Sequence, residues 1–282
     1  MFEKLRNSWE LVKASAKVLS ADKELILFPI LSSVGVLIVS ISFALPMILT
    51  GFLDSMVFSE DGPQIFAYIV GFLFYVVQYF VIFYANSALV GAAMIRLKGG
   101  DPTVSDGLRI ANSHLGAIFG YSILAATVGF LIKMISERSK NLGRFVVSLI
   151  GMAWNLATFL VVPVLVVEGL GPIESVKRSA VLLKRTWGEQ IAGNFGIGAI
   201  FGLLTFLGIL IFVPVLIIGI INELITLIIG AVIGLVIFFI LLSMVQGALN
   251  GIYVAAVYNY AADGNIGTFF EPDQITKAFV SE

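Results

Sequence analysis

Residues 168–190 read EGLGPIESVKRSAVLLKRTWGEQ, a charged island between two long apolar runs. Its apolar residues Ile173, Val176, Ala180, Leu183 and Trp187 recur at steps of three and four, the spacing of one stripe on an α-helix. Lys177, Arg178, Lys184 and Arg185 flank that stripe. Long cationic stems can lie along lipid while their heads reach water or phosphate. The island therefore reads as a helix lying on a membrane surface, with these four cations as lipid headgroup contacts.

The chain around the island supplies the membrane. Of 282 residues, 59% are hydrophobic and 12% charged, and the mean hydropathy is +1.03; a soluble domain carries roughly a quarter charged residues. The expected fold is all-α, a polytopic membrane helix bundle in one domain spanning residues 1–282. Six apolar runs have membrane length: Leu25–Leu53, Ile65–Ile95, Leu115–Ile135, Phe145–Val167, Ile191–Ile221 and Leu224–Ala262. The first is too long for the apolar region of a leader and is read as a retained helix. Pro29 falls in its opening turn, while Pro46 and Pro214 lie inside spans and predict kinks. The last two runs exceed the roughly 20 residues a bilayer needs. No second turn signal divides the final one into a further span.

Two more islands resemble the first. Between Phe2 and Lys23 the stripe is Phe2, Leu5, Trp9, Val12, Ala16 and Leu19. After Asp101-Pro102, with Asp101 read as the helix cap, it is Val104, Leu108, Ala111 and Leu115. Each island precedes a pair of spans, which predicts three pseudo-repeated units, about 1–98, 99–168 and 169–262, and a tail over 263–282 that carries a short helix. Val12-Lys13-Ala14-Ser15-Ala16 matches Val176-Lys177-Arg178-Ser179-Ala180, and Ala88-Leu89-Val90-Gly91 matches Ala248-Leu249-Asn250-Gly251. Gly99-Gly100-Asp101-Pro102 matches Gly169-Leu170-Gly171-Pro172 at the two hand-overs. The pairs Gly116/Gly120, Gly198/Gly202, Gly230/Gly234 and Gly247/Gly251 suit close helix packing.

All but four of the 17 Lys and Arg fall in the islands, the Arg96–His114 segment or the tail. The positive-inside rule places those regions, and both termini, in the cytoplasm of a prokaryotic cell with the protein multi-pass in its plasma membrane. The exceptions, Lys133, Arg138, Lys140 and Arg144, share one loop that six spans would put outside.

Several function classes drop out. A net charge of −1 offers no field for nucleic acid. With no cysteine and one histidine there is no basis for a disulfide, a thiolate or a metal site. No HExxH, Walker loop or G-x-S-x-G occurs, and no cofactor is expected. Asp106-Gly107 begins the motif of the CDP-alcohol phosphotransferases, but its further aspartates do not follow.

Polar residues within the spans are the candidate site: Gln78, Asn86, Asn155, Asn194, Gln246 and Asn250. Amides in hydrocarbon seek the bundle interior or a wet cavity. They either line a cavity holding a lipid headgroup or small solute, or hydrogen-bond between helices. His114 stands at a membrane boundary near Asp106 and Arg109, as an acid, a base or an interfacial polar residue. Glu174 precedes Arg178 by four residues, the favourable order for an ion pair on one helix.

The stretches FEKLRNSWELVKASAKVLSADKELILFPIL (2–31) and EGLGPIESVKRSAVLLKRTWGEQIAGNFG (168–196) resemble an uncharacterised prokaryotic family of six-span integral membrane proteins, a domain of unknown function. That resemblance covers nearly the whole chain and implies no catalytic residues. The island is also distantly similar to the membrane domain of glycerophosphodiester phosphodiesterases, which implies a lipid-related role; their soluble barrel and metal ligands are absent from this sequence. The functional expectation is non-enzymatic binding or transport of a lipid or small hydrophobic molecule, with membrane lipids as partners. The alternative is a scaffold for partner proteins. A membrane-embedded lipid-modifying enzyme using His114, Asp106 or Glu168 is the third reading.

Overall fold

The computed structural model describes residues 2–51, 65–138, 141–187, 196–265 and 269–271. Every regular element among them is helical. Helix α1 (Phe2–Ala21) leads through a 3₁₀ turn (Lys23–Ile26) into α2 (Leu27–Leu49), followed by α3 (Ile65–Leu97) and the short α4 (Val104–Ser113). Then come α5 (Leu115–Arg138), α6 (Asn141–Ala157), α7 (Val161–Val167), α8 (Pro172–Trp187), α9 (Gly196–Ile221) and α10 (Ile225–Asp263). Among the described residues six stretches are long and apolar enough to cross a membrane, with α6 and α7 together making the fourth. Most of each apolar surface stays uncovered by protein. In the most apolar 18 residues of α10, mean hydropathy is 3.1 and only 6% are buried.

Three details depart from the sequence reading, and a fourth, the final run, agrees with it. Asp101 does not cap α4. Thr103 does, in a capping box where its hydroxyl accepts from Asp106 N–H and the Asp106 carboxylate accepts from Thr103 N–H. The fourth span is broken after Ala157, and Pro163 gives the reason: it has no N–H to return to Phe159, and its ring crowds that carbonyl. The final apolar run is one helix of 39 residues, so no seventh span arises. The expected turn from Ser136 to Arg144 is mostly helical, because α5 continues to Arg138 and α6 begins at Asn141. The short helix expected in the tail lies outside the described residues.

The core is built where three helices end. The closing stretches of α3 (Ala88, Leu89, Ala93), α7 (Val161, Val164, Leu165) and α10 (Ile252, Ala255, Ala256, Val257) are fully buried. In the first and third of these, small residues bring the helices together. A Cβ on Gly251 of α10 would collide with the Leu89 side chain of α3. Helix α4 folds back along α3: a Cβ on Gly107 would stand 2.6 Å from the Ala88 carbonyl oxygen and would also meet the Phe28 ring. Helix α8 folds back along α7 in the same manner, and α1 lies across α9 and α10. The turns after α3, α7 and α10 all begin with a left-handed glycine, Gly99 (φ +87), Gly169 (φ +65) and Gly264 (φ +69). Residues with a Cβ pay a steric penalty there, so glycine is the natural helix stop.

Helix α8 presents a different face to the bundle from its most apolar stripe. Ser175, Ser179, Leu182 and Leu183 are buried, whereas Ile173 and Val181 are exposed. Ser179 Oγ accepts from Leu160 N–H at 2.9 Å, satisfying an amide released by the broken span. In α1 the buried set is Leu11, Val12, Ala14, Ser15 and Val18, so of the expected stripe Val12 is buried while Trp9 is exposed. Of the four glycine pairs, only Gly247 and Gly251 both face a neighbour. Gly120 meets Pro172 and Gly234 meets Phe212, while Gly116, Gly198, Gly202 and Gly230 have open space.

Gly107 and Gly116 provide a paired test of this packing. Gly107→Val should destabilise the detergent-solubilised protein by about 1–3 kcal/mol, the usual cost of overpacking, because a backbone carbonyl cannot yield. Gly116→Val should leave thermal unfolding unchanged or raise its midpoint.

Candidate functional site

A groove of about 450 Å³ opens where α2, α3 and α10 part above the core. Pro29, Ser32 and Ser33 supply one wall, Ile82 and Asn86 the floor, and Ser243, Met244 and Gly247 the other wall. Two of its hydroxyls are occupied by their own helices. Ser33 Oγ donates to the Pro29 carbonyl at 2.8 Å, and Ser243 Oγ donates to the Phe239 and Ile240 carbonyls. Asn86 is half-buried, and its carboxamide has no hydrogen-bond partner among the described residues. Val34, Leu37 and Ile240 at the rim are exposed apolar side chains, so the groove opens sideways onto the lipid-facing flank.

The other amides are dispersed. Gln78 is buried and donates across helices to Ser40 Oγ at 2.8 Å and to the Val36 carbonyl at 3.4 Å, joining α3 to α2. Asn155 lines a second pocket, between α3, α5 and α6. Gln246 is half-buried and Asn250 exposed, and neither lines the groove. Asn194 lies outside the described residues. The structure thus brings Asn86 together with serines and not with the other amides.

Of the four island cations, Lys177, Lys184 and Arg185 are exposed on α8. Arg178 turns inward, and its partner is Glu168 rather than the expected Glu174. Its Nε donates to both Glu168 oxygens at 2.9 and 3.0 Å, and the Tyr258 hydroxyl donates to the same carboxylate at 3.1 Å. One carboxylate therefore ties α7, α8 and α10 together. Glu174 stays exposed near the turn. His114 closes α4, with Nδ1 2.9 Å from the Ile110 carbonyl and 3.0 Å from Ser113 Oγ.

One polar cluster escaped the sequence reading. Asp22 is 6% exposed, caps the 3₁₀ turn by accepting from Glu24 N–H, and leaves its Oδ2 without a partner. Arg96, at the end of α3, donates to the Ala21 and Gly100 carbonyls and to Asp101, while its Nε is buried and unpartnered. Glu24 in turn accepts from Val104 N–H at 2.9 Å, at the start of α4. The available signals were Asp22 before an apolar run and Arg96 at the end of one. Burial pushes the Asp22 carboxyl above its ordinary range, against the opposing pull of the Glu24 amide and the Arg96 charge. Asp106 moves the other way, held down by the Thr103 hydroxyl and amide.

The sequence model of a family of unknown function (DUF6159) matches residues 65–269, well over half of the chain. No curated protein and no solved structure matches.

The Asp22 shift has a defined sign. A carboxyl with a raised folded pKa favours folding at acid pH, and that contribution is lost as pH rises from 3.8 through the folded value. Asp22→Asn keeps an acceptor for Glu24 and cannot ionise. Its stability relative to the native protein, followed by thermal unfolding from pH 4 to 7.5, should rise with pH and then level off. A difference that is flat across the series would refute the buried-carboxyl account.

Proposed function

We propose that this chain, which belongs to that family of unknown function and carries six apolar helices of membrane length, binds a lipid or small hydrophobic molecule without chemically altering it. The observation that carries the reading is the unpartnered Asn86 carboxamide on the floor of a lipid-facing groove. A polar group in hydrocarbon is favoured only where something satisfies it. An amphiphile whose chain follows Val34, Leu37 and Ile240 and whose polar group reaches Asn86 and the serines would do so.

Three features support a non-enzymatic role. His114, Asp106 and Glu168, the residues an enzyme would use, are each held in a cap or an ion pair. The proposed setting is the plasma membrane of a prokaryote, with α1, α4 and α8 at the cytoplasmic face and Lys177, Lys184 and Arg185 near anionic headgroups, at about 1 kcal/mol per charge. We read the left-handed glycine stops after α3, α7 and α10, leaving aside the left-handed Gly51 after α2, and the three amphipathic helices on the ends of neighbouring spans, as a threefold pseudo-repeat. The match of Ser15 to Ser179, both fully buried, favours that reading.

Mass spectrometry of the protein in mild detergent should recover one lipid or hydrophobic species strongly enriched over the bulk extract. Asn86→Leu should lower that enrichment roughly fivefold, the equivalent of one hydrogen bond of about 1 kcal/mol, at unchanged thermal stability. Recovery of bulk lipid in bulk proportions from the native protein would remove the proposal. For the topology, the cysteine-free chain accepts single cysteines at Lys13, Ser105, Lys177 and Glu223. The first three should label from the cytoplasmic side and the fourth from outside; a shared side for Lys177 and Glu223 would overturn the arrangement.

A further inference from the structure

The broken fourth span creates a second cavity, separate from the Asn86 groove. Below the break, α7 packs against α3, α8 and the core; above it, α6 rests on α5 and α8 and leaves α3. The wedge between them has a volume of about 410 Å³, within the range of roughly 300–1,000 Å³ common for small-molecule sites. Tyr79 and Phe83 from α3, Tyr121 from α5, and Trp154, Asn155 and Thr158 at the end of the fourth span's first half provide its chemistry.

Two properties define what such a space can hold. First, its walls are aromatic and ordered. Tyr79 and Phe83 stack at 5.5 Å with 7° between their planes, and Phe83 meets Tyr121 at 4.6 Å. No charged side chain among the described residues lines it, so an ionic headgroup would lose its hydration without a counter-charge. Second, it offers hydrogen-bond donors that nothing uses. The Trp154 indole N–H and the Asn155 carboxamide have no partner among the described residues, although both belong to a membrane-length span. The Thr158 hydroxyl is spent on the Trp154 carbonyl at 2.8 Å. A plain hydrocarbon tail would leave those donors unmatched.

We infer that this wedge is a binding site for an uncharged, planar, carbonyl-bearing ring on an apolar tail, the chemistry of a membrane quinone. Flat rings stack on aromatic walls in offset or edge-on geometry. Ring carbonyls accept from the indole and the carboxamide, and the tail leaves between α3 and α6 toward lipid. Gly129 marks the space available: a Cβ there would touch only the Tyr79 hydroxyl, at 3.5 Å, so an added methyl fits and a longer side chain enters the cavity.

The site carries its own reporter. Trp9→Phe and Trp187→Phe leave Trp154 as the sole tryptophan, and quinones quench indole fluorescence on contact. A benzoquinone with one isoprene unit, titrated into that protein in mild detergent, should quench it saturably. Asn155→Leu, at an exposed position that tolerates substitution, and Gly129→Leu, which fills the wedge, should each weaken binding tenfold or more. Gly129→Ala should leave it unchanged. Quenching that rises linearly without saturating, or saturable quenching of native affinity in both Asn155→Leu and Gly129→Leu, overturns the assignment.

Discussion

Everything in this fold depends on one three-way contact, in which the closing stretches of α3, α7 and α10 bury one another. Elsewhere the helices give most of their apolar surface to lipid, where burial against protein brings no hydrophobic gain because lipid tails are as apolar as leucine. Cohesion must therefore come from close packing and from polar groups. Gly251 against Leu89, and Gly107 against Ala88, supply the close packing. Glu168, shared by Arg178 and Tyr258, supplies the polar bond, fixing α8 and α10 to the end of α7. Helices α1, α4 and α8 pack around this contact.

That arrangement explains where the polar accounts close and where they do not. Ser179 pairs with the amide freed by the break before α7, and Thr103 and Asp106 satisfy the first turn of α4. Gln78 crosses to Ser40. Asn86, Trp154 and Asn155 stand apart from these, uncommitted within membrane-length helices. Structural pairing and open cavity were competing accounts of the amides as a class. The structure divides the class, assigning Gln78 to pairing and Asn86 and Asn155 to the walls of separate cavities.

Much of the architecture was legible because hydropathy is a property of composition, and bilayer thickness converts it directly into span length. All six spans end within about four residues of their expected limits on that basis. Facing was harder to read. A stripe drawn through Ile173, Val176 and Ala180 counts only apolar residues, yet helix packing in lipid favours small ones. Ser175 and Ser179 therefore belong to the buried face of α8, and Ile173 does not. The break at Pro163 was invisible for the same reason: Val161-Val162-Pro163-Val164 scores as continuous hydrocarbon, although its one imino acid interrupts the ladder. Arg178 was assigned by spacing along its own helix, and its real partner lies across a turn that only a left-handed Gly169 makes possible.

The two cavities are not independent accidents of packing, because α3 lines both. Ile82 and Asn86 face one, while Tyr79 and Phe83, three positions earlier in each case, face the other. A three-residue step is 60° short of a full turn, so the two pairs occupy adjoining faces of the same stretch of helix. A rotation of α3 about its axis would carry Phe83 off Tyr121 and Gln78 away from Ser40. Just beyond, Leu89 and Gly91 are held against Gly251 and Ile110, which blocks that rotation. Asn86 is thus fixed at the wall of its groove by packing on the adjoining faces of its own helix, with its carboxamide open to that space.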